Sequence, residues 1–212
     1  MNKILPILFN TEMVKAILEG RKTVTRRLVK ATQLIGLGCD ECPNNLPEEY
    51  IKHKKMLFKP WCDMTDNELI GAIYKSPFEP GDILYVRETW YRGLNRILYK
   101  ANYSETEKFY ENGKEIQVKW KPSLHMPKEV ARIWLKVTDV KAERLQDMRS
   151  EDALNEGIKV SEFDLPNTGV VTRFKHLWNS TIKRLDRNCY GWNANPWVWV
   201  IEFEQCKKPE DN

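Results

Sequence analysis

The amino-acid sequence predicts an α+β fold: several strands joined by short helices around a small β-barrel, with an inserted subdomain. Three observations predict it. Two-residue apolar alternation, the mark of a half-buried strand, recurs along the chain and is clearest from Ile133 to Val140. Helical spacing occurs only in short stretches such as Met13, Val14, Ile17 and Leu18. Strands and helices do not alternate regularly, which argues against stacked βαβ units. With 212 residues, 42% of them hydrophobic, and 8 Trp, 8 Tyr and 7 Phe, the chain can bury a sizeable core. Residues 1–206 are read as one domain with an insertion at about 32–80, and 207–212 as a polar tail.

Ile4 to Phe9 is a short apolar strand leading into the first helix, for which Asn10 or Thr11 is the N-cap and Gly20 the left-handed terminator. Leu28 and Val29 continue an extended segment. Periodicity then weakens, with one helix expected near Asp66 to Tyr74 inside the insertion. Pro80-Gly81-Asp82 is a turn that starts the strand Ile83 to Val86. Leu98 to Ala101 and Glu115 to Trp120 read as strands, with a hairpin turn at Asn112-Gly113. After Ile133 to Val140, Ser150 is the expected N-cap of a short helix that Gly157 closes. Phe174, Leu177, Trp178 and Ile182 mark another helix, and Trp197 to Phe203 a final buried strand.

Formal net charge is +4, too small to establish nucleic-acid binding from bulk charge, although a local patch suffices for it. Met1 to Phe9 is too short to span a membrane and lacks a signal-peptide cleavage pattern, so no membrane partner is expected. Five scattered cysteines argue against a disulfide framework and for a cytoplasmic protein with reduced thiols. Cys39 and Cys42 have the spacing of half a zinc site, which His53 and Cys62 could complete as a structural zinc. No other cofactor is implied.

The densest chemistry lies in Gly20-Arg21-Lys22-Thr23-Val24-Thr25-Arg26-Arg27. Arginines here suit phosphate or carboxylate, and cations also suit the end of the preceding helix. A lysine crowded by cations has reason to lose its proton, so Lys22 could activate the hydroxyl of Thr25. Glu156 stands in the last turn of its helix, where the macrodipole disfavours a carboxylate. Trp90, Tyr91 and Trp120 beside Arg87 and Arg132 are the pairing that stacks and holds nucleobases. Ser123 and His125 sit in a loop constrained by Pro122 and Pro127. Trp134, Trp197 and Trp199 are read as core. Asn193, in the turn before the last strand, can offer its amide to a ligand or to the turn.

Taken together these motifs resemble the ASCH family, in particular its longer phage and prophage members. The residues that carry the resemblance include Pro6-Ile-Leu-Phe9, Gly20-Arg-Lys-Thr23, Thr25-Arg-Arg27, Pro80-Gly-Asp82 and Val86-Arg-Glu88-Thr-Trp90. Lys121-Pro-Ser123, His125-Met-Pro127, Val137-Thr-Asp-Val140 and Asn195-Pro-Trp-Val-Trp199 extend it along the chain. The resemblance implies a PUA-like barrel whose cleft binds RNA or a modified nucleobase or nucleoside. Arg21, Thr23, Arg26, Arg27, Arg87, Glu88, Trp90, Tyr91, Trp120, Ser123, His125, Arg132 and Asn193 are then the candidate ligand contacts. Small members of the family deacetylate acetylcytidine with a Lys, Thr and Glu. Matching their motif implies Lys22 as proton acceptor, Thr25 as nucleophile and Glu156 as proton donor in an alternative amidohydrolase reading. A phage-related interaction module is a further alternative.

Overall fold

The computed structural model describes residues 2–29, 76–94, 96–159 and 169–210. Its strands are β1 (Ile4–Leu8), β2 (Val24–Leu28), β3 (Ile83–Arg87), β4 (Trp90–Arg92) and β5 (Ile97–Tyr99), then β6 (Phe109–Glu111), β7 (Lys114–Ile116), β8 (Trp134–Arg144) and β9 (Trp197–Cys206). The α-helices are α1 (Thr11–Leu18), α2 (Ser150–Asn155), α3 (Gly169–Thr181) and α4 (Arg187–Tyr190). Five strands form one sheet in the order β1-β3-β8-β9-β2, and β4–β5 and β6–β7 form two ribbons. The mixed α+β class matches the patterning, and the strand order is linear among the described residues. The helix expected near Asp66 to Tyr74, most of the insertion and the zinc candidates Cys39, Cys42, His53 and Cys62 lie outside the described residues.

The chain divides into two compact units. The first comprises Met1–Thr23, Pro80–Thr138 and Phe203–Asn212. Within it β1 runs parallel to β3, Ile4 opposite Ile83 and Leu8 opposite Arg87. Pro6 is tolerated because β1 is an edge strand, where a missing N–H interrupts no ladder. Asn10 caps α1, its Oδ1 accepting from the Met13 N–H at 2.9 Å. The helix buries Val14, Ala16 and Ile17, and Gly20 follows at φ 73°. Leu84 and Val86 of β3 and Leu135 and Val137 of β8 are all within 1% of complete burial, as alternation on those strands requires.

One strand pairing differs from the expectation. The Asn112-Gly113 turn has both residues at positive φ, 51° and 74°, but it joins β6 to β7 rather than Leu98–Ala101 to Glu115–Trp120. A two-residue turn pairs the residues that flank it directly, here Glu111 with Lys114. β5 pairs with β4 instead and runs into a 3-10 turn over Lys100–Asn102.

The second unit comprises Val24–Glu79 and Asp139–Glu202. Here β2 is antiparallel to β9, with Thr25 opposite Ile201, Arg26 opposite Val200 and Arg27 opposite Trp199. Residues 197–201 are all buried, as befits an interior strand covered on both faces. Val24, Val198 and Val200 pack with Leu145, Met148, Ala153, Val170, Phe174 and Trp178 of α2, α3 and the segment before them. Ser150 is the first residue of α2 rather than its cap. The residue before it, Arg149, donates its N–H to Asp152 Oδ2 at 2.8 Å, so a carboxylate inside the first turn supplies the capping acceptor. Glu156 is the C-cap and Gly157, at φ 92°, ends the helix as expected.

Candidate functional site

In the first unit the segment after β3 builds a basic pocket. The β-strand ends at Arg87, and Trp90 opens β4 three residues later. Trp90 forms a two-way backbone bridge with Lys121, donating at 3.2 Å and accepting at 2.7 Å, which brings a cation from a remote segment beside the indole. Arg92 and Lys121 lie over the Trp90 ring at 5.8 and 5.2 Å, within cation–π range. The 3-10 turn Ser123–His125 presents an exposed His125 to the same place.

The resulting open cavity measures about 390 Å³, and its polar lining is Arg87, Trp90, Arg92, Lys121 and His125. Leu124, 60% exposed, and Pro127 add apolar surface. Among the described residues no carboxylate lines it. Arg87 Nε and Trp90 Nε1 are buried donors with no hydrogen-bond partner among the described residues. Such donors are uncommon in folded chains. Trp134 and Trp197 carry similar indole N–H groups but do not line the cavity.

Next to Arg87 in sequence, Glu88 is 1% exposed and held by Arg132. Arg132 Nε donates to Oε1 at 2.8 Å and Nη2 to Oε2 at 2.9 Å, while Nη1 donates to Asn102 Oδ1 at 2.9 Å. The guanidinium also stacks over Tyr99 at 4.2 Å. Tyr99 donates its hydroxyl to the Val130 carbonyl at 2.7 Å. Burial pushes the Tyr99 phenol above its ordinary 10.0; Arg132 opposes that shift and Glu88 adds to it. Three of the five N–H donors of Arg132 are thus engaged within the fold.

Other expected contacts fall elsewhere. Trp90 is 4% exposed, so its ring offers no open face to a base. Trp120 packs edge-on to Phe109 at 5.7 Å and lies 6.3 Å from Tyr103, and Tyr91 is half-buried within β4. Tyr91, Trp120 and Ser123 do not line the cavity. Lys22 is 3% exposed, with Nζ 5.5 Å over the Phe9 ring. Arg21 is half-buried and its Nε donates to Glu19 at 2.7 Å. Thr23 is exposed, and its carbonyl accepts from Phe203 at 2.9 Å.

In the second unit Arg26 is 4% exposed and surrounded by carboxylates. Its Nη2 and Nε donate to Glu143 Oε1 at 2.7 and 3.1 Å, Nη1 reaches Glu156 at 3.4 Å, and Asp152 lies 3.8 Å away. A buried guanidinium demands this many acceptors. Burial lowers the Arg27 pKa from its usual value, and the Glu156 carboxylate opposes that shift. Thr25 and Glu156 are both 4% exposed. Asn193 is exposed and lines a separate cavity of about 460 Å³ with Asn179, Arg187, Asn188 and Trp192. No group of acidic, His or Cys side chains fit to hold a metal occurs among the described residues.

Sequence reasoning brought together Arg87, Trp90 and His125, and it named both Glu88 and Arg132 and both Arg26 and Glu156. It missed Arg92, Lys121, Leu124 and Pro127 as pocket residues, and Glu143 and Asp152 as partners of Arg26. Lys121 carried a signal, since it opens the Lys-Pro-Ser motif; Glu143 had none, because strand alternation gives no sign of a partner 117 residues away. No described helix is long and apolar enough to cross a membrane. Comparison of the chain with protein-family models, with curated proteins and with solved structures gives no match.

Proposed function

We propose that this chain is an ASCH-type, PUA-like module that binds RNA or a modified nucleobase or nucleoside through the basic pocket of its first unit. The observation that carries this reading is a cavity lined by three cationic side chains, a histidine and Trp90, with no carboxylate among the described residues that line it. Such a lining favours an acceptor-rich, anionic ligand. His125, Leu124 and Pro127 supply the surface against which a base packs, the role that the buried Trp90 does not take. The motifs that resemble the ASCH family run through the same segment, from Arg87 to Pro127. The test is fluorescence anisotropy with short labelled RNAs over a range of salt. Binding that weakens steeply with salt, and that falls with Lys121→Gln and Arg92→Gln, supports the reading. RNA and nucleosides that leave the protein unbound at low salt remove it.

One observation favours the hydrolase as a second reading. Lys22, Thr25 and Glu156 are three of the six polar or charged side chains buried among the described residues. Thr25 would attack the acyl carbon, Lys22 take its proton and Glu156 protonate the departing amine, after which water would hydrolyse the acyl-threonine ester and free Thr25. Incubation with acylated cytidines tests it directly. Amine release that Thr25→Ala abolishes supports the enzyme, and no release from any member of the panel sinks it.

A further inference from the structure

We infer that the basic pocket is a phosphomonoester subsite, so that the ligand is a nucleotide or a nucleic-acid end carrying a terminal phosphate rather than a nucleoside or an internal stretch of strand. The inference rests on the proposed nucleic-acid reading and narrows it. Arg87, Arg92 and Lys121 converge on a single cavity of about 390 Å³. That is small for a binding site, near the lower end of the roughly 300–1,000 Å³ of ligand pockets. A protein that follows an internal strand instead spreads its cations along a groove that tracks the backbone.

Charge points the same way. A phosphodiester carries one negative charge, whereas a phosphomonoester carries about −1.5 to −2 at neutral pH and presents three acceptor oxygens. Three cationic side chains in one cavity match the more highly charged group. Arg87 and Trp90, which line it, each keep a buried donor, Nε and Nε1, with no hydrogen-bond partner among the described residues. Arginine also offers the planar fork that grips phosphate by two bonds. The apolar side of the cavity, Leu124 and Pro127, leaves room for the organic part of the ligand.

Calorimetry on the full chain with inorganic phosphate and three ligands of one base separates the possibilities: cytidine, cytidine 3′,5′-cyclic monophosphate and cytidine 5′-monophosphate. The expected result is at least a roughly tenfold preference for the 5′-monophosphate over both others, the size expected from hydrogen bonds to a charged group. Arg87→Lys keeps the charge but loses the fork, and should cut that preference severalfold. Lys121→Gln, at an exposed side chain, should cut it without affecting folding, which thermal melts will check. Equal affinity for all three ligands overturns the phosphate subsite while leaving nucleoside binding intact. Inorganic phosphate that binds as tightly as the nucleotide, with both variants weakening it, upholds the subsite and overturns the nucleic-acid reading. No binding by any of these overturns both.

Discussion

Arg132 grips Glu88 through both carboxylate oxygens, at 2.8 and 2.9 Å, although the two residues are 44 positions apart in sequence. Glu88 is 1% exposed, so the carboxylate depends on this guanidinium for compensation of its lost hydration. Replacing Arg132 by Met leaves a buried charge without its partner. The expected cost is about 3 kcal/mol, at the lower end for buried pairs because the arginine is itself partly exposed. Arg132→Lys keeps charge without the fork and should lose less. Urea unfolding of the three proteins measures the order, and a cost below that of an exposed pair would refute the structural role.

Arg26 gives a parallel prediction in the second unit. Its side chain is 1% exposed and shared between Glu143 and Glu156. Arg26→Met should destabilise by about 3–5 kcal/mol. Arg21, whose partner Glu19 is well exposed, provides the control: Arg21→Met should cost less than about 1 kcal/mol. Similar losses at both positions would mean that the carboxylates around Arg26 confer no special dependence.

Tyr99 sets a limit on stability at alkaline pH. Burial holds its pKa above 10.0 in the folded chain, while in the unfolded chain it ionises near the ordinary value. The folded state therefore keeps the proton that the unfolded state releases. This contribution is fully present below pH 10 and is lost as pH rises through the raised folded value. Difference absorbance titration against Tyr99→Phe should show the missing tyrosine titrating above its ordinary value of 10.0. Loss of an early-titrating component instead would contradict the burial.

The hairpin turn between β6 and β7 rests on Gly113 at φ 74°, with nothing within 4 Å of where a Cβ would stand. Gly113→Ala therefore meets no steric contact and suffers only the cost of a left-handed backbone. We expect a loss of about 1 kcal/mol, read from thermal or urea unfolding. A neutral or stabilising substitution would show that the hairpin is not held in this conformation.

Much of the local architecture was legible in the sequence, because its causes are local. The spacing of Met13, Val14 and Ile17 lies within two helical turns, and Asn10 and Gly20 bound that helix through their own conformational preferences. Likewise the alternation in β3 and β8 follows from side chains pointing to opposite faces of a strand. Asn112-Gly113 signalled a turn, but not which strands it joined, since Leu98–Ala101 carried an equally good pattern. The basic segment Arg21 to Arg27 was visible as a cluster of charge. Its sequence could not distinguish the buried Arg26 from the more exposed Arg21.

What the sequence by itself determined was the set of short elements, their caps and turns, and the presence of cations and aromatics in two regions. Tertiary structure alone decided which of these side chains meet. Lys121 reaches Trp90 through a backbone bridge, Arg26 meets Glu143 across 117 residues, and Trp90 turns inward rather than offering its face. The physical reason is that strand register, not local propensity, fixes which distant residues become neighbours, and a one-residue shift sends a side chain to the opposite face of the sheet.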